Sequence, residues 1–174
     1  METELFVHFA EIAGVFVGFG ALISLRSAHL EDPHDVVYLR AVLALGVWVV
    51  IAALLPIAVS RYGVDGHALW LSCAITGLVI WAVLLVSLGR SGESRAIDRS
   101  PEPVDRLFPV VGLPLHVVIA GSLVLILLGI WPRLEEAFYV TALTAAVVFA
   151  GYTLLSFVLS QRHERDPRGG DAPL

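Results

Sequence analysis

The sequence predicts an all-α integral membrane protein, a bundle of five transmembrane helices, and three observations carry that prediction. Hydrophobic residues fill 57% of 174 positions and the mean hydropathy is +0.84, well above the balance of a soluble domain. Five apolar runs reach the roughly 20 residues needed to cross about 30 Å of hydrocarbon. Those runs are apolar all round instead of alternating, so helices, which satisfy their own backbone groups, fit them and lipid-facing barrel strands do not.

The first run, 5–25, follows the acidic leader Met1-Glu2-Thr3-Glu4 and holds Glu11 in its interior, so it reads as a retained helix and not as a secretory signal. Glu11 lies roughly 9 Å below Leu5 at the helical rise per residue. An acid at such a place is a functional-site hypothesis by default, because ionisable groups are costly in hydrocarbon. Spacings of three, four and seven put Glu4, His8, Glu11 and Gly18 on one face. Ala10, Gly14 and Gly18 recur at every fourth position, a ridge that lets another helix approach closely. Glu11 is therefore expected on the close-packed side of the helix, turned from lipid. Three readings fit this stripe: a hydrogen bond from Glu11 to a neighbouring helix, a proton or cation path through Glu11 and His8, and a weak metal site using Glu4, His8 and Glu11.

The second run, 36–60, is preceded by Glu31, Asp32 and Asp35 with His29 and His34 around Pro33, a composition suited to a solvated, helix-capping loop. Within the run, Pro56 is expected to interrupt the helix and Trp48 to pack or line a cavity. The third run, 67–88, opens near Trp70, which with Tyr62 is placed as an interfacial anchor, and carries Trp81 in its interior. It also holds Cys73, the sole cysteine, which excludes an intrachain disulfide and reads as a small core residue. Residues 89–107 pair four arginines with Glu93, Asp98, Glu102 and Asp105, so no basic footprint for nucleic acid exists there.

The fourth run, 108–131, contains Pro114 and then His116, the second buried titratable candidate, and ends on Trp131. Counted from Trp131, His116 lies about 22 Å deep, too far from Glu11 for a direct bond and too far from His8 for a shared haem. The fifth run, 136–160, begins with the interfacial aromatics Phe138 and Tyr139 and repeats a small-residue ridge at Ala142, Ala146 and Ala150. One ridge is expected to serve packing within the chain and the other a contact between chains. Residues 161–174 read as a disordered, solvated tail.

All eleven basic residues are arginine. Five spans put Arg61 and Arg133 on one side and the other nine on the opposite side, which by the positive-inside rule is cytoplasmic, leaving the amino terminus outside. No phosphate-binding loop, nucleophile elbow or diphosphate-binding acidic pair occurs, and no enzyme activity or cofactor is expected.

The stretch Ala10-Glu11-Ile12-Ala13-Gly14-Val15-Phe16-Val17-Gly18-Phe19-Gly20-Ala21-Leu22 resembles the first helix of a group of uncharacterised small bacterial multi-span membrane proteins that open with Ala-x-Ile-Ala-x-x-Phe-x-Gly-Phe-x-Ala/Gly-Leu. The resemblance covers this helix alone; it implies a polytopic membrane protein and assigns no catalytic residue. The functional expectation is a non-enzymatic helix-packing, accessory or self-associating component of a bacterial cytoplasmic membrane. Its partners would be the lipid bilayer and its own copies or another membrane protein. The alternative is a small proton- or cation-conducting protein using Glu11, His8 and His116.

Overall fold

The computed structural model describes residues 2–26, 33–90 and 103–164. Five long helices make up nearly all of it: α1 (Thr3–Arg26), α2 (Pro33–Ser60), α3 (Gly66–Arg90), α4 (Pro103–Leu127) and α5 (Glu135–Glu164). Each contains a segment long and apolar enough to cross a membrane, and no strand occurs among the described residues. The protein is thus an all-α, multi-pass membrane-type bundle.

Helix ends follow local chemistry. The α2–α3 turn needs left-handed backbone at Gly63 (φ 78°) and Gly66 (φ 55°), and the α4–α5 turn needs it at Gly129 (φ 59°), a conformation open to glycine because it has no Cβ. The fourth helix therefore ends at Leu127, short of the expected 131, even though Leu128 and Ile130 keep the run apolar. Pro132–Leu134 form a 3-10 turn, and the fifth helix follows at Glu135. Pro56 and Pro114 lie inside continuous helices, as neighbouring helices and local adjustment allow in a membrane bundle. Of the expected disordered tail, Gln161 to Glu164 continue α5, and residues 165–174 lie outside the described residues, as do most of the acidic first loop and of the 89–107 connection.

Helices α1 to α4 each pack on their chain neighbour, while α5 packs on all four of the others. Small side chains make that possible: Ala142, Ala146 and Ala150 are buried on α5, so their ridge serves packing within the chain. At the turn end the interior holds an aromatic cluster in which the Phe6 ring lies 6.1 Å from Trp70 and 6.2 Å from Tyr139. Tyr139 donates its hydroxyl hydrogen to the Ala52 carbonyl at 2.8 Å. Trp70 and Tyr139, expected as interfacial anchors, are core residues instead, since the rings are worth more packed on each other, whereas Tyr62 and Trp131 stay exposed. Farther in, the Trp48 indole N–H donates to the Gly77 carbonyl at 2.8 Å and joins α2 to α3.

The outside of the bundle is an apolar belt. Val15, Phe19 and Leu22 on α1, Val83 on α3, Val117 on α4 and Leu155 on α5 are all exposed, an arrangement suited to lipid and unsuited to water.

Candidate functional site

The side of α1 that packs inward is set by Phe6, Ala13, Val17 and Gly20, which share one face at helical spacing. Phe6, Ala13 and Gly20 are buried. Facing them, α2 offers Gly46, where an added Cβ would stand 2.6 Å from Val17 Cγ2 and 3.3 Å from the Ala13 carbonyl oxygen. Gly46 is thus the notch that seats α1.

Turning Phe6 and Ala13 inward turns Glu11 outward. The side chains of His8 and Glu11 are 67% and 66% exposed, and His8 Nδ1 lies 3.1 Å from Glu11 Oε2. This corrects the expectation that Glu11 sits on the packed side of α1. Gly14 and Gly18 share the outer face, and a Cβ at either would meet nothing within 4 Å. Only Ala10, of the three ridge residues, packs against the core. The physical reason is size: Phe6, Phe9 and Phe16 lie on the other side of the helix and bury far more surface against α2 and α5 than a ridge of glycines does.

The depth of the pair is as telling as its direction. The apolar span of α1 covers Thr3–Ile23, roughly 31 Å at 1.5 Å per residue, and Glu11 stands roughly 12 Å along it. An acid about 12 Å and an imidazole about 8 Å along a membrane-length helix therefore face outward, on a surface shared with the exposed Val15, Phe19 and Leu22. Glu4 shares the stripe and is also exposed. Among the described residues no group of three His, Cys, Asp or Glu side chains could hold a metal ion, so Glu4, His8 and Glu11 do not assemble as the metal site considered from their spacing.

His116 is elsewhere. Its Nδ1–H donates to the Gly112 carbonyl at 2.7 Å, and its ring stands 5.6 Å from Trp81 and 4.8 Å from Phe149. It belongs to the contact of α3, α4 and α5, and the structure does not bring it to Glu11 or His8.

A second polar pair was not foreseen as a pair. At the turn end, His67 on α3 donates from Nδ1 to Glu135 Oε1 at 2.5 Å, and the Glu135 side chain is 2% exposed. Glu135 opens α5, where the helix dipole favours an anion. The neighbouring Glu136 accepts a bond from the Glu2 backbone N–H at 3.3 Å. Both carboxylates tie the ends of other segments to the start of α5. The available signal in sequence was that His67 and Glu135 each begin a helix on the same side of the bundle. Beside them lies an open cleft of about 350 Å³ lined by Asp65, Glu136, Ser60 and Trp70.

Chemically, the outer face of α1 joins an ionisable pair, an open two-glycine groove and a hydrocarbon setting, and that combination is suited to meeting another helix. No protein-family model, curated protein or solved structure matches the chain.

Proposed function

We propose that the protein is a non-enzymatic, self-associating membrane component whose copies meet along the outer face of α1. The observation that carries this reading is the outward His8–Glu11 pair inside the apolar span of α1. Left against lipid, such groups are costly, and intramembrane ionisable residues are almost always turned to protein or to a water-filled cavity.

A second copy is the occupant that fits. Two copies inserted the same way carry His8 and Glu11 at equal depth, and a two-fold contact lets His8 of each meet Glu11 of the other. Gly14 and Gly18, open at Cβ, let the two backbones approach as small-xxx-small helices do. In this reading the nine-arginine end faces the cytoplasm of a bacterial cell and the membrane is its cytoplasmic membrane.

One observation favours a second reading, a proton- or cation-conducting oligomer. Because the pair points outward, a ring of α1 helices would place His8 and Glu11 along a shared lumen.

Disulfide cross-linking in native membranes tests the first reading. With Cys73→Ala as background, Gly18→Cys is expected to give covalent dimers on mild oxidation, while Val83→Cys and Val117→Cys on the lipid faces of α3 and α4 are not. Equal cross-linking at all three positions, or none at 18, would refute an α1 interface. Flux measured in liposomes separates the second reading: Glu11→Gln abolishes a pH-dependent flux if the oligomer conducts, and background flux in the wild type removes conduction while leaving association standing.

A further inference from the structure

Among the described residues, buried side-chain donors find acceptors with one exception. The Trp48 indole N–H reaches the Gly77 carbonyl, and the Tyr139 hydroxyl reaches that of Ala52. Trp81 Nε1, one turn beyond Gly77 on α3, is buried and has no hydrogen-bond partner. It lies nine residues, roughly 13 Å, inside the end of α3 at Arg90, where lipid offers it nothing. A buried N–H left without an acceptor is destabilising and rare enough to need a cause.

The cause stands beside it. The Trp81 and His116 rings are 5.6 Å apart, inclined at 49°. A carbonyl only accepts, so the bond from His116 Nδ1 to the Gly112 oxygen places a hydrogen on Nδ1 and leaves Nε2 of the neutral ring a bare acceptor. A donor without an acceptor and an acceptor without a donor thus lie on adjacent rings. They do not bond directly, but one water spans two such groups with bonds of about 2.9 Å on each side.

We infer that Trp81 Nε1 and His116 Nε2 share a bound water molecule, forming a polar link between α3 and α4 inside the apolar bundle. The water accepts from Trp81 and donates to His116. Phe149 closes the imidazole from α5, edge-on at 4.8 Å, and the neighbouring Thr153 hydroxyl is turned back to the Phe149 carbonyl at 2.8 Å.

Solution NMR of the full ¹⁵N-labelled chain in detergent micelles tests the link directly. The four indole N–H signals, of Trp48, Trp70, Trp81 and Trp131, are assigned by single Trp→Phe substitutions. In the wild type, Trp81 is expected to show a cross-peak to water that Trp48 lacks, and His116→Phe is expected to remove it. The His116 Nε2 resonance gives a reading independent of any variant, expected at the position of an unprotonated, hydrogen-bonded nitrogen. A Trp81 signal without water contact, a cross-peak that survives His116→Phe, or a free Nε2 shift would each overturn the inference.

Discussion

Gly46→Leu is expected to undock α1 from α2 and to be among the most damaging single substitutions in the bundle. A Cβ at position 46 stands 2.6 Å from Val17 Cγ2 and 3.3 Å from the Ala13 carbonyl oxygen, and the second of these is backbone that no rotamer change can move. Overpacking a close contact costs typically about 1–3 kcal/mol. Gly46→Ala should fall in that range, and leucine, which adds three more carbons at the same point, should exceed it. The measurement is thermal or SDS unfolding of the purified protein. Gly14→Leu and Gly18→Leu are the matched controls: the same change meets open space, so unfolding should be unaffected while self-association is lost. An unfolding profile for Gly46→Leu equal to that of Gly18→Leu would refute the notch.

Trp48→Ala is the second large effect. The side chain is 1% exposed, and emptying such a site costs about 3–5 kcal/mol in water-soluble proteins. In a bilayer the helices are already in an apolar medium, so the surviving loss comes from the cavity, the dispersion contacts and the Gly77 bond. Trp48→Phe separates these contributions. It keeps much of the ring volume and loses the bond to the Gly77 carbonyl, a change of about 1 kcal/mol. If unfolding shows alanine no worse than phenylalanine, packing around Trp48 does not hold α2 to α3.

The fold was legible because hydropathy alone marks a membrane-length helix, and each of the five runs corresponds to one helix of the structure. The ends were less legible. Leu128 and Ile130 are as apolar as the helix before them, and only the left-handed Gly129 separates turn from helix. The facing of α1 was misread for a physical reason: Ala10, Gly14 and Gly18 form a regular small-residue ridge, but which ridge is buried depends on what the partner helix presents. The deciding partner was Gly46, an isolated glycine with no periodic signal around it. His8 and Glu11 were readable as a pair from their spacing, whereas the pairing of His67 with Glu135, 68 residues apart, needed three-dimensional structure.

The position of α5 bears on how the chain is made. Ala142, Ala146 and Ala150 put the last of the five helices at the centre of the contacts of the other four. Ribosomal synthesis delivers that helix after α1 to α4 have entered the bilayer. The surfaces of α1 to α4 that face α5 therefore gain that cover only once α5 has been made. Nascent chains arrested before residue 135 would be membrane-embedded yet unconsolidated, and quality-control proteases would meet them in that state.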